Sequence, residues 1–129
     1  MVATTTASSQ RWLQTAATYN LCWGCGAVVL ADSLGWKVVG MIVAVYAPAY
    51  WWAARFPERH AHLVAIGLLG KTLGLAGFVC GWALGLVPPS FGLVVLANDA
   101  IWWPAFALFV RSAARQAGGW RAFAAGGTG

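Results

Sequence analysis

The sequence predicts an all-α integral membrane protein, a four-helix bundle with both termini in the cytoplasm. Of its 129 residues, 60% are hydrophobic and only 9% are charged, which leaves too little polar surface to cover a soluble globule. The apolar residues form four continuous runs, each close to the roughly 17–25 residues that a helix needs to cross the hydrocarbon core. The basic residues are also distributed unevenly between the connecting segments, which predicts the orientation in the membrane.

The four apolar runs divide the chain into a membrane domain and two tails. The runs cover residues 12–31, 38–54, 63–86 and 91–110. We expect a disordered N-terminal tail over residues 1–10, a four-helix transmembrane domain over residues 11–115, and a Gly-rich flexible tail over residues 116–129.

Basic residues mark three edges of the predicted bundle as cytoplasmic. These residues are Arg11, Arg55, Arg59, Arg111, Arg115 and Arg121. Lys37 is the only basic residue in the turns at 32–37 and 87–90. We therefore expect those turns outside the cytoplasm and the loop at 55–62 inside it. The net charge of +5 then matches anionic lipid headgroups, and no nucleic-acid partner is expected.

The first run is the least apolar and contains Gln14, Thr15, Thr18 and Asn20. Such a helix is expected to turn its polar side towards its neighbours. Cys22 and Cys25 have the spacing of a redox pair, but two cysteines three residues apart within a helix are poorly placed for a disulfide. We interpret them as small apolar residues, with redox chemistry as the alternative.

The second run and the loop after it contain aromatic residues, a proline and two histidines. Pro48 lacks the N–H of a helix interior and predicts a kink. Trp51 and Trp52 are expected in an interfacial aromatic belt. His60 and His62 are expected in solvent, because a pair two residues apart without further ligands does not indicate a metal site.

Glycines follow one face of the third predicted helix. They are Gly67, Gly70, Gly74, Gly77, Gly81 and Gly85. At about 100° per residue all six fall within roughly 80°. Small residues allow close backbone approach in lipid, so this face predicts that the third helix is the hub on which the others dock. Lys71 lies beside the stripe.

The fourth run contains the densest group of polar and aromatic residues, over residues 98–104. Asp99 is expected about 18 Å from the cytoplasmic end of its helix, at 1.5 Å per residue. A carboxylate at that depth must be protonated, paired or hydrated, and ionisable residues within a membrane indicate a functional site. Pro104 predicts a second kink and a free carbonyl at Ala100.

Counting from the cytoplasmic ends places polar residues of all four helices at a similar depth of about 12–18 Å. The predicted binding cluster comprises Asn20, Tyr46, Lys71, Asn98, Asp99, Trp102 and Trp103. The alternative is that Lys71 extends alone to the interface while Asn98, an indole or a backbone group caps Asp99.

Several sequence blocks between residues 10 and 115 carry a family resemblance. They read YNLCWG from residue 19, GMIVAVY from residue 40, GLLGK from residue 67 and NDAIWWPAF from residue 98, together with Pro88 and Phe91-Gly92. The chain resembles a family of small, uncharacterised bacterial four-helix membrane proteins, similar in broad architecture to the DoxX-like group, some of which are linked to redox or quinone chemistry. The resemblance implies a multi-pass protein of the bacterial inner membrane. The two cysteines of the first helix depart from the family pattern.

Three classes of function stay open. The leading hypothesis is an accessory or binding subunit for a lipophilic ligand, a quinone-like carrier or a partner membrane protein. The first alternative is proton or solute translocation, for which so small a chain is expected to form a homo-oligomer. The second is an enzyme acting on a lipid or redox carrier. The cofactor is not identified; a retinal aldimine at Lys71 with Asp99 as counter-ion is one variant.

Overall fold

The structure, a computed structural model, describes residues 7–127 as a chain of helices joined by short turns. The helices are α1 (Ala7–Leu30), α2 (Leu34–Arg55), α3 (Pro57–Ala83), α4 (Phe91–Val95), a π-helical turn (Leu96–Ala100), α5 (Trp103–Gln116) and α6 (Trp120–Ala124). No strand occurs in this part of the chain. The prediction of an all-α protein is confirmed.

Three helical segments are long and apolar enough to cross a membrane. They are α2, α3 and the 26-residue segment Phe91–Gln116, which joins α4, the π-helical turn and α5. Helix α1 has 24 residues but is less apolar, so the structure supports three of the four predicted spans. Two of its polar side chains are satisfied within the helix: Thr15 Oγ1 donates to the Arg11 carbonyl at 2.8 Å and Thr18 Oγ1 to the Gln14 carbonyl at 3.0 Å.

The first two helices form a close hairpin. Ser33 caps α2, because its Oγ accepts a hydrogen bond from the Trp36 amide at 3.3 Å. Lys37, which the sequence places in a turn, lies within α2 and donates to the Val28 carbonyl at 2.8 Å. This bond ties the start of α2 to a carbonyl in the last turn of α1, one of the groups that helix geometry leaves unpaired.

Glycines set the distance between α1 and α2. A Cβ atom added at Gly24 would lie 2.6 Å from the Gly40 carbonyl oxygen, and one added at Gly40 would lie 2.7 Å from the Gly24 carbonyl oxygen. Side chains at these positions would therefore meet the backbone of the other helix. Helix α1 packs along α2, whereas α3 packs on α2 and on the Phe91–Gln116 segment. The glycine contact in which two helix backbones meet is thus not on the predicted hub.

The glycines of α3 do not form one continuous docking face. Added Cβ atoms at Gly67, Gly74 and Gly81 would meet the side chains of other residues, whereas nothing lies within 4 Å of one added at Gly70 or Gly77. The face therefore alternates between contact and open space. The neighbours in the contacts are side chains and not a second backbone.

The sixth glycine of the predicted stripe lies beyond the end of α3. Gly85 has a φ of +69°, its amide donates to the Trp82 carbonyl at 2.9 Å, and the Leu86 amide donates to the Gly81 carbonyl at 2.8 Å. These two bonds define a Schellman motif, which requires a left-handed residue after the helix. Gly85 therefore ends the helix, so its inclusion in the docking face was wrong.

The buried core lies at one end of the molecule, near the turn between α2 and α3. Its members are Leu13, Ala16, Ala17, Tyr50, Ala53, Ala54, Ala61, Val64, Trp102, Phe106, Phe109, Val110, Ala114 and Phe123. At the other end, Leu30, Leu34, Leu84 and Leu86 are each at least 72% exposed. An apolar surface of this kind matches the hydrocarbon of a bilayer.

The C-terminal segment contributes to this core. The prediction for residues 116–129 was a flexible tail, but residues 120–124 form α6 and Phe123 is 7% exposed. The His62 ring stacks on Phe123 with centroids 4.3 Å apart, and His62 Nε2 donates to the Phe123 carbonyl at 2.6 Å. His62 is thus half-buried, in contrast to the prediction that it faces solvent.

At the other terminus α1 begins at Ala7, inside the predicted tail. Residues 1–6 of that tail lie outside the described range.

Candidate functional site

The Phe91–Gln116 segment is irregular at its polar residues. The Ile101 amide donates to the Leu96 carbonyl, five residues back, and the Trp102 amide donates to the Asp99 carbonyl, three residues back, both at 3.2 Å. Regular α-helical bonds run four residues back. The change of spacing therefore leaves two carbonyls, at residues 97 and 98, without their usual amide partners.

Side chains take the places of those amides. Trp102 Nε1 donates to the Ala97 carbonyl at 2.9 Å, and Lys71 Nζ donates to the Asn98 carbonyl. A π-helical turn of this kind often occurs at a functional site. Here the turn supplies a backbone acceptor to a lysine of α3.

Pro104 follows this irregularity in the chain. It lies in the first turn of α5, where a missing N–H breaks no bond within the helix. The break in the regular bonding comes earlier, over residues 96–102. The sequence predicted an irregular helix beside Asp99 and a free carbonyl at Ala100, and the irregular stretch includes both residues.

Lys71 and Asp99 form an ion pair inside the bundle. Lys71 Nζ lies 3.7 Å from Asp99 Oδ1, and the two side chains are 7% and 22% exposed. Nζ also lies 5.5 Å from the centroid of the Phe106 ring, within the range of a cation–π contact. Of the two arrangements that the sequence left open, the structure therefore has the paired one and not a lysine that extends alone to the interface.

A glycine of α3 makes room for the acidic partner. A Cβ atom added at Gly74 would lie 2.5 Å from Asp99 Oδ2 and 3.1 Å from its Cγ. Any side chain at Gly74 would displace the carboxylate. Gly67 has the same relation to Tyr50, whose ring lies directly against it.

Asn98 presents an acceptor that has no partner. The residue is 9% exposed, and its Nδ2 donates to the Val94 carbonyl at 3.0 Å. Its Oδ1 is buried and has no hydrogen-bond partner among residues 7–127. A buried acceptor left in this state costs about 1–3 kcal/mol. Such a cost is avoided when a bound molecule supplies the donor.

A cavity of about 170 Å³ joins these groups. Its polar lining residues are Asn20, Tyr46, Tyr50, Lys71, Asn98 and Asp99. Its apolar lining residues are Ile42, Val43, Gly67 and Gly70. The structure thus brings five residues of the predicted cluster, one or two from each long helical segment, to one cavity.

Tyr50 is the member of the site that the sequence reading missed. It is 2% exposed, its ring centroid lies 5.7 Å from that of Tyr46, and it makes an edge contact with Phe106 at 4.8 Å. Residues four apart share one face of a helix, so its position after Tyr46 was an available signal. At this point of α2 the prediction concerned only its neighbours Trp51 and Trp52, which were expected in an interfacial aromatic belt.

The two tryptophans of the predicted cluster do not line the cavity. Trp102 is 4% exposed and packs against the rings of Trp12 and Tyr19, with centroids 5.9 and 5.3 Å away. Trp103 donates from Nε1 to Thr72 Oγ1 at 2.9 Å. Both support the site from outside: Trp102 through the π-helical turn and Trp103 by linking α5 to α3.

The other features noted in the sequence lie apart from the cavity. Cys22, Cys25 and Cys80 are free and exposed. Residues 7–127 contain no group of three or more His, Cys, Asp or Glu side chains placed to hold a metal ion. A second, mainly apolar hollow of about 300 Å³ lies between α1 and α2, beside Pro48 and Trp52.

No family model, curated protein or solved structure matches the chain. The resemblance to DoxX-like membrane proteins therefore stays a prediction, and arguments about function rest on the cavity itself. Its ionic groups are one cation and one anion in contact, so the charges within the lining cancel.

Proposed function

We propose that this protein is an integral membrane protein that binds the polar head of a lipophilic molecule in the cavity beside Lys71 and Asp99. In this proposal α1 is the fourth membrane helix. The main support is a polar cavity lined by Asn98, whose buried Oδ1 has no hydrogen-bond partner among residues 7–127, inside helices whose outer surfaces are apolar. Binding sites of this form combine an apolar wall with a few polar groups that orient the ligand.

The position of the cavity supports access from the bilayer. Two of its lining residues, Ile42 and Gly70, reach the outer surface: Ile42 is 56% exposed, and a side chain added at Gly70 would meet nothing within 4 Å. The opening therefore lies between α2 and α3, on a side that faces lipid. A molecule dissolved in the membrane can reach the polar groups without crossing the headgroup layer.

The ion pair is suited to orienting a ligand. Lys71 donates to the Asn98 carbonyl and lies beside the Asp99 carboxylate, so its ammonium group is held by two partners. A fixed ammonium group costs little reorganisation when a ligand arrives. The ammonium has three N–H donors, which leaves one for a ligand oxygen.

Proton translocation is a second candidate, favoured by a separate observation. The Asp99 carboxylate is 22% exposed and shares the cavity with the phenolic residues Tyr46 and Tyr50. Ionisable and hydroxyl groups in series are typical of proton pathways in membrane proteins. Acid-induced pH changes inside vesicles containing the protein would test this candidate, with Asp99→Asn as the inactive comparison.

Ligand retention tests the leading proposal. We expect lipid extracts of the purified protein to contain a molecule that is depleted in extracts of the Asp99→Asn variant. The change removes the counter-charge of Lys71 and alters the hydrogen bonding of the cavity lining. Asp32→Asn is the matched control, since Asp32 lies in the turn between α1 and α2 and is exposed. Equal extracts from the three proteins, measured by mass spectrometry, would contradict the proposal.

The orientation proposed from the basic residues has its own test. A reporter fused after Gly129 is expected to read as cytoplasmic, and one inserted in the turn at residues 87–90 as external, because six arginines lie on the proposed inner side. The two readouts exchanged would reverse the orientation without affecting the cavity. The proposed location is the bacterial inner membrane, as the family resemblance implies.

A further inference from the structure

We infer that the head accepted by the cavity is a neutral hydroxyl, so that the ligand is a lipid-soluble alcohol or phenol and not a molecule whose head only accepts hydrogen bonds. This inference rests on the proposed function, since it concerns the chemistry of the same cavity. It follows from three properties of the lining: its charge balance, its unpartnered acceptor and its remaining donor.

Charge balance favours a neutral head. The ionic groups of the lining are Lys71 and Asp99, which are in contact with each other. An anionic or cationic head would therefore bring a charge with no partner of its own into an apolar interior. Unpaired charges are strongly disfavoured there.

The acceptor at Asn98 Oδ1, which has no partner among residues 7–127, favours a ligand that supplies a hydrogen-bond donor. Asn98 Oδ1 cannot exchange places with Nδ2, because Nδ2 donates to the Val94 carbonyl and an oxygen there would face another acceptor. A ketone, ester or quinone carbonyl would also place an acceptor against Oδ1. An O–H group supplies the missing hydrogen bond.

The remaining donor fits the same hydroxyl. Lys71 has one N–H beyond those directed at Asn98 and Asp99, and a hydroxyl oxygen accepts as well as donates. A hydroxyl therefore has the donor that Asn98 lacks and an acceptor for Lys71. The volume of about 170 Å³ leaves room for one six-membered ring, since a cavity of about 150 Å³ is able to hold benzene.

The test compares two probes that differ only in the hydroxyl hydrogen. Binding of para-dodecylphenol and of its methyl ether to the protein in lipid nanodiscs is measured by tryptophan fluorescence. We expect the phenol to bind about tenfold more tightly, the ratio expected when a buried acceptor gains or lacks its donor. Asn98→Leu removes the acceptor, so it is expected to bring the two affinities together while the ether still binds.

Two glycine variants separate this inference from the proposed function. Gly70→Leu fills the opening of the cavity and is expected to weaken both probes, whereas Gly77→Leu, on the same helix and equally open, lies outside the lining and is expected to change neither. Equal affinities for phenol and ether, both lost in Gly70→Leu, would overturn the hydroxyl inference and leave the binding function standing. Binding of neither probe, or binding unaffected by Gly70→Leu, would overturn the proposed function as well.

Discussion

Glycines have different neighbours in the two main helix contacts of this protein. Between α1 and α2, Gly24 and Gly40 each face the backbone of the opposite helix. On α3, Gly67 and Gly74 face the side chains of Tyr50 and Asp99. The first pair sets the distance between two helices. The second pair leaves space for side chains of the candidate site.

Substitutions at the two pairs are expected to differ in effect, because a neighbouring side chain can move away from an added atom more easily than a helix backbone can. A backbone held by its own helical hydrogen bonds cannot rotate away from an added side chain, so the whole helix must shift. A side chain can take another rotamer, although it then leaves its partners. Substitutions at the first pair are therefore expected to affect stability, and those at the second pair to affect the site.

The largest effect is expected at the α1–α2 contact. Gly24→Leu would place a side chain against the α2 backbone and separate the hairpin, at a cost of about 3 kcal/mol or more in unfolding free energy. Gly26→Leu is the matched control, since nothing lies within 4 Å of a Cβ atom at Gly26. Denaturation in detergent followed by circular dichroism measures both. Similar stability of the two variants would show that this contact does not set the helix distance.

An intermediate effect is expected for the ion pair of Lys71 and Asp99, whose carboxylate lies against Gly74. Lys71→Met and Asp99→Asn each leave the other group unpaired, and we expect about 2 kcal/mol of lost stability from each, below the value for fully buried pairs because Asp99 is 22% exposed. The double variant is expected to lose less than the sum of the two. Additive losses in the same denaturation measurement would mean that the two groups do not interact energetically.

The smallest stability effect, and the most specific one, is expected at Gly74. Gly74→Ala would push the Asp99 carboxylate from its place, with an expected loss of about 1 kcal/mol in stability and loss of the retained ligand. Gly77→Ala, one of the open positions of α3, is expected to keep both. A Gly74→Ala protein that retains its ligand would show that the position of the carboxylate does not matter for binding.

The sequence predicted the grouping of the polar residues better than the helix contacts. Depth along a membrane helix follows mainly from residue number, so counting from the predicted cytoplasmic ends brought Asn20, Tyr46, Lys71 and Asp99 to a similar depth, and all four line the cavity. Helix contacts depend on which faces meet. The long glycine series therefore led to the prediction that α3 is the hub, whereas the isolated glycines at residues 24 and 40 gave no comparable signal.

The π-helical turn could not be predicted from the local sequence. Pro104 was the visible helix breaker, but the carbonyls released at residues 97 and 98 are bonded by Trp102 and by Lys71 of another helix. Such a turn is stabilised by tertiary partners and leaves no periodic pattern. The docking of Phe123 on His62 was missed for a related reason, because six residues between glycines resemble a tail until a partner for them is known.

The ion pair also has a consequence for how the chain enters the membrane. A lysine near the centre of a lone membrane helix raises the insertion free energy by about 2.5–3.5 kcal/mol, and in α3 that lysine is Lys71. Its partners, the Asn98 carbonyl and the Asp99 carboxylate, arrive only with the next helix. We therefore expect α3 and the Phe91–Gln116 segment to insert together as a helical hairpin, whereas the close contact of α1 and α2 can form as soon as those two helices are made.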